Sequence, residues 1–185
     1  MKKIAVIVGH NPIKQGALSI APIGRSEFDF NSELAQLMLA KSSTYSFEIA
    51  IFYREYQKSY YKEIQKVYAE VDAWDADFST ELHFNSAVFT ALGSEVLSSG
   101  SRKSMLFAQK TQNELVTLFD RTGKTDRGVK VRKKGARGYR SLVAGKAAAI
   151  IVEPFFGSNR QDVQQMYTLG LEQLAEAYLR AIEQL

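Results

Sequence analysis

The chain has 185 residues, 45% of them hydrophobic and 24% charged, a composition that suits one folded domain and excludes disordered or membrane-spanning classes. It has no cysteine, so disulfide frames, thiolate metal sites and thiol nucleophiles are excluded, and any metal must rest on His, Asp or Glu. The net charge of +4 is unevenly spread: residues 124–140, KTDRGVKVRKKGARGYR, carry eight Lys and Arg against one Asp, and the remainder is net negative.

In chain order, Ile4 to Val8 is continuous and apolar, which predicts a strand buried on both faces. The turn Gly9-His10-Asn11-Pro12 closes it. From Glu27 the apolar positions Phe30, Leu34, Leu37 and Met38 recur at helical spacing, with Ser26 as the expected cap. FEIAIFY (47–53) reads as a second strand, and Ile64, Val67, Tyr68 and Val71 mark one face of the helix after it. DFSTELHFN (77–85) is expected to be extended and GSEVLSS (93–99) to form a further short strand. Met105, Ala108, Leu115 and Phe119 stripe another helix. AAAIIVEPFF (147–156) predicts a second continuous apolar strand ended by Pro154. The chain closes on one long predicted helix, with Val163, Met166, Tyr167, Leu171, Leu174, Tyr178, Ile182 and Leu185 on its buried face.

Alternating strands and helices predict an α/β fold, a single domain over residues 1–185. Its sheet is expected to be mostly parallel or mixed, twisted, of about six strands, with helices on both faces. No stretch reaches the roughly 20 apolar residues of a membrane span. The apolar run after the two N-terminal lysines is too short for a signal peptide, so a product retained in the cytoplasm on synthesis is expected. The basic segment 124–140 reads either as a solvated loop or as a contact for polyanions. With Tyr139 its one aromatic residue, it does not suit specific nucleic-acid readout.

In open α/β sheets, ligands bind beyond the carboxyl ends of the strands. His10 follows the first strand, Glu27 opens the first helix, His83 lies near the end of DFSTELHFN, and Glu153 ends the last strand. Two imidazoles and a carboxylate are a common zinc set, and a further carboxylate beside it can act as general base. Glu153 directly follows AAAIIV, so burial is expected to strain its charged form. Glu81 and Asn85 share the strand face of His83 by alternation.

The motifs VIVGH, SEFDFN, ELHFN, DRGVK and IIVEPFFGSN, in that order over nearly the whole chain, resemble the zinc-dependent N-acetylmuramoyl-L-alanine amidases of the Amidase_3 type. The resemblance implies Zn2+ on His10, Glu27 and His83, with Glu153 as the catalytic base. It matches Asn85 and Asn159 to motif asparagines that brace loops. Two positions depart from the family's pattern: Asn11-Pro12 replaces Gly-Gly, and Glu81 stands in place of Ser, as a partner of the ligands or a competing acid. Arg137 or Arg140 would be placed to assist at the substrate. The implied reaction cuts the bond between N-acetylmuramic acid and L-alanine in peptidoglycan. An endolysin-like lysis enzyme, acting on the cell wall after release, fits the absence of a leader. The basic segment would then contact anionic envelope polymers. Two alternatives remain open from the residues: a zinc carboxypeptidase acting on peptidoglycan peptides, and a non-catalytic wall- or nucleic-acid-binding module.

Overall fold

A computed structural model describes residues 1–185. Its elements run β1 (Lys2–Val8), α1 (Glu27–Lys41), β2 (Phe47–Tyr53), α2 (Tyr60–Ala73), β3 (Phe78–Leu82) and β4 (Ser94–Ser98). They continue with α3 (Arg102–Leu118), β5 (Asp126–Val131), α4 (Tyr139–Val143), β6 (Ala148–Glu153), α5 (Arg160–Leu169) and α6 (Leu171–Glu183).

The strands form one six-stranded sheet in the order β2-β1-β3-β6-β4-β5. β2, β1, β3 and β6 are mutually parallel, whereas β4 pairs antiparallel with β6 and parallel with β5. The expected mixed sheet is therefore four parallel strands with two reversed ones at an edge. Alternation along β1 sends Ile4, Val6 and Val8 into the main core and Ala5 and Ile7 to the opposite face. The main core also holds Leu34 and Met38 of α1, Phe107 and Leu115 of α3, and Leu174, Tyr178 and Ile182 of α6. Ile64, Val67 and Val71 of α2 cover the other face, joined by Leu142 of α4 against Leu97 and Ile151. Helices thus lie on both faces, as the alternating pattern requires.

Local rules explain the boundaries. The Ser26 side chain accepts from Asp29 N at 3.1 Å and starts α1, and Ser101 caps α3 in the same way through Ser104 N at 3.3 Å.

Two expectations need correction. The last helix is two helices, because Gly170 (φ 81, ψ 158) adopts a backbone conformation open almost only to glycine. Tyr167, placed on the buried face of a continuous helix, consequently lies 60% exposed. The basic segment is also more than a loop: its first half forms edge strand β5 and its last residues open α4. Lys and Arg on an edge strand discourage pairing with another chain, so part of this charge serves the sheet itself.

The strand order fixes where a site can form. From β1 the chain passes through α1 to β2 on one side, then through α2 to β3 on the other side of β1. The order reverses between β1 and β3, and a crevice opens beyond their carboxyl ends. His10 and His83 emerge at that point.

Candidate active site

His10, Glu27 and His83 come from three separate segments, yet their ligand atoms all lie within 4.8 Å of one another. Glu27 Oε2 is the common point, 3.2 Å from His10 Nε2 and 3.0 Å from His83 Nδ1. The two imidazoles meet edge to face with centroids 4.9 Å apart. Glycines make the close approach possible: a Cβ on Gly9 would lie 2.4 Å from Leu82 O and 2.5 Å from the His83 ring. His10 itself sits at φ 68, a strained conformation for a side-chain-bearing residue.

Glu27 opens α1, where the helix dipole favours a carboxylate, and its Oε1 accepts from Ala17 N at 3.0 Å. Burial alone would raise its pKa, but the imidazoles beside it more than reverse this and hold it well below the usual carboxylate range. His83 shows the converse. Burial would lower its pKa, and its bonds to Glu27 and Glu81 raise it to about 10.

Glu81 is not one of the three converging donors. It holds the other nitrogen of His83, with Oε1 3.1 Å from Nε2, and is itself anchored by Arg54 Nη1 at 3.2 Å. Burial would raise this carboxyl, but His83 and then Arg54 bring it down to about 2. Arg54 also donates to Glu63 Oε2 at 2.9 Å, and Glu63 receives Asn11 Nδ2 at 3.3 Å. Asn11 folds its loop by accepting from Ile13 N at 3.1 Å and Lys14 N at 2.8 Å. Asn11, the first residue of the Asn11-Pro12 departure, is thus built into a buried chain of polar contacts running to His83. Such a carboxylate–imidazole pair orients a ligating ring and fixes its tautomer.

The donor set fits a divalent cation. Two imidazoles and a carboxylate suit zinc, and the buried His10 Nε2, although 3.2 Å from Glu27 Oε2, makes no well-directed hydrogen bond, a geometry that a metal ion between the two would satisfy.

Glu153 ends β6 half-buried on the wall of the same cleft, which also takes in His10, Glu81 and His83 and measures about 950 Å3. Burial pushes its carboxyl up to about 7, opposed by the charges of His83 and Arg137 and reinforced by Glu95 and Glu27. Glu95 is its cross-strand partner in β4. Asn85 does not line the cleft; its Nδ2 donates to Glu95 Oε1 at 3.0 Å, while Arg127 Nε reaches Oε2 at 2.7 Å. Asn159 caps α5 through Gln161 N and Asp162 N and ties down Phe89 O at 2.7 Å. Arg137 and Arg140 line the cleft, Arg140 with its guanidinium 4.7 Å from the Tyr61 ring centroid.

The sequence reading did not single out Arg54, Glu63 or Glu95. Arg54 carries a signal like that of His10, a polar residue just beyond the end of a strand of the parallel set. Glu63 and Glu95 carry none, since their partners lie across the fold.

A family model described as N-acetylmuramoyl-L-alanine amidase, Amidase_3, matches residues 4–184. The chain belongs to this family. Membership makes it an enzyme of the amidase class whose substrate is peptidoglycan. Solved structures agree in fold. The catalytic domain of the CD27L endolysin targeting Clostridia difficile superposes with a TM-score of 0.83 at 23% identity, over 98% of this chain and 97% of that one. The catalytic domain of CwlV, an N-acetylmuramoyl-L-alanine amidase from Bacillus (Paenibacillus) polymyxa var. colistinus, gives 0.79 at 16% identity, covering 100% and 97%. AmiC2 of Nostoc punctiforme, another such amidase, gives 0.78 at 20% identity, covering 99% and 96%. Among curated proteins this amidase finds no match. None of its helices is long and apolar enough to cross a membrane.

Proposed function

We propose that this amidase hydrolyses the bond between the lactyl group of N-acetylmuramic acid and the L-alanine of the stem peptide, with zinc as cofactor and Glu153 as general base. The observation that carries the reading is the meeting of His10, Glu27 and His83 around one carboxylate oxygen, in a cleft whose wall bears a carboxyl with a pKa near neutrality.

A zinc ion on His10, Glu27 and His83 would supply Lewis-acid polarisation of the scissile carbonyl and acidify the attacking water. The protein's residues perform the rest. Glu81 engages His83 through Nε2 and leaves Nδ1 turned toward Glu27 for the ion. Glu153 takes the proton released as water adds to the carbonyl carbon. A carboxyl whose pKa is about 7 divides its time between both forms at neutral pH, so it can accept that proton and give it up again. It then protonates the L-alanine nitrogen, and the peptide leaves as an amine. Glu95, fixed by Asn85 and Arg127, contributes the like charge that helps keep Glu153 basic enough for both steps. A lysis role accompanies this reading, supported by the fold shared with an endolysin catalytic domain.

Replacing Glu153 by Gln preserves shape and removes the proton acceptor. Turnover of soluble muramoyl peptides is expected to fall by about 10²–10⁴-fold while bound zinc per chain stays unchanged. Wild-type turnover in that variant would refute the assignment of the base.

A further inference from the structure

One wall of the cleft holds positive charge that amide hydrolysis does not require. Lys134, Arg137 and Arg140 line it from the segment entering α4, and Lys14 joins them from the loop after β1. None of these four side chains takes part in the protein's salt bridges, all of which engage other cations. Two are steadied by aromatic rings, Arg140 over Tyr61 at 4.7 Å and Lys14 over Tyr56 at 5.3 Å. The wall is pinned to the sheet: a Cβ on Gly138 would lie 3.0 Å from Ile151 Cδ1 and 3.4 Å from Leu97 Cδ1. Ser141 and Leu142, just beyond, are buried. Arg137 is also near enough for its charge to act on Glu153, so unpaired cations and proton acceptor share one cleft.

The substrate's own chemistry decides which half belongs against this wall. The N-acetylated glycan is neutral once its lactyl carboxyl is tied up in the amide. The stem peptide carries the free carboxylates, and unpaired guanidinium groups are matched receptors for them. Resting on the amidase reading above, the geometry points to a carboxylate-binding subsite on the Lys134–Arg140 wall. It takes the peptide half of the substrate and favours stems with free carboxylates over amidated stems.

The test measures binding of the metal-loaded protein to three synthetic stem peptides with amidated C-termini, by titration calorimetry. One carries a free carboxylate on the second residue (D-glutamate followed by lysine). A second carries it on the third (D-isoglutamine followed by diaminopimelate), and the last carries neither (D-isoglutamine followed by lysine). At least one carboxylate peptide is expected to bind about tenfold more tightly than the peptide without one. That preference should vanish in Arg137→Ala/Arg140→Ala, persist in part in Arg137→Lys/Arg140→Lys, and survive intact in Lys124→Ala, which lies outside the cleft. Equal affinities in wild type, or an undiminished preference in the double alanine variant, would overturn the subsite. Turnover of the corresponding muramoyl peptides is read separately: selective binding without cleavage would count against the amidase reading and leave the subsite standing.

Discussion

Glu81 grips His83 by the nitrogen that faces away from Glu27, and its removal therefore tests orientation apart from ligation. Glu81→Gln keeps the shape but loses the charge that holds the ring and balances buried Arg54. Zinc affinity, measured by competition with a chelator, should fall by about 10–100-fold. Unchanged affinity would mean that Glu81 serves only Arg54. Glu153 predicts a pH effect on the metal-free fold. Its pKa rises from 4.5 to about 7 on folding, so its carboxyl is protonated in both states at low pH and costs nothing there. Between pH 4.5 and 7 the unfolded chain ionises this carboxyl while the folded protein keeps it protonated, so stability falls by about 2 kcal/mol after allowance for its partial exposure and levels off above pH 7. Denaturant unfolding should accordingly find metal-free Glu153→Gln matching wild type near pH 4.5 and exceeding it by that amount at pH 8. A constant difference between the two across pH would show that Glu153 is not strained. His10, Glu27, His83 and Glu153 were legible in the sequence because each adjoins a strand or helix end. Arg54, Glu63 and Glu95 gain their meaning from hydrogen-bond partners 9 to 52 residues away in sequence, which no local pattern reveals.

Among the elements, those defined by apolar periodicity or a cap appear where the sequence puts them. β2 spans the FEIAIFY stretch itself, and α1 begins right after its Ser26 cap. Periodicity misled in the C-terminal region, where the apolar spacing continues nearly in phase across Gly170 while the backbone does not. Gly170→Ala tests that break. Space is not limiting, since nothing lies within 4 Å of an added Cβ, so the cost comes from the backbone conformation alone. About 1–3 kcal/mol of stability should be lost in chemical denaturation, whereas a gain would mean that the two helices readily fuse. β5 escaped notice because Asp126, Arg127 and Lys130 break its apolar pattern and two of its residues, Asp126 and Gly128, are poor strand formers. The strand exists because β4 offers it an edge, a tertiary fact with no local signature.

At the scale of the whole molecule, strand order turns a handful of scattered polar residues into a site. β1 and β3 are neighbours, so the chain's two histidines, His10 and His83, emerge side by side although they lie 73 positions apart in sequence. The reversed strands then bring Glu95 beside Glu153, since only an antiparallel β4 starts at the end where β6 finishes. The α/β class and the crevice were legible from alternating periods, but the reversal of β4 and β5 was not, because the direction of a short strand leaves no trace in its composition. The positive charge of residues 124–140 divides likewise by position, one part along the sheet edge and another along the cleft wall. What defines this enzyme is the proposed cut between sugar and peptide. Its most direct test is a digest of purified peptidoglycan by wild type, by Glu153→Ala and by chelator-treated protein, with the released products weighed by mass spectrometry. Peptides that begin with an intact L-alanine, released by wild type and lost in both other arms, are the predicted result. Release of single amino acids, or the same peptides from Glu153→Ala, would contradict it.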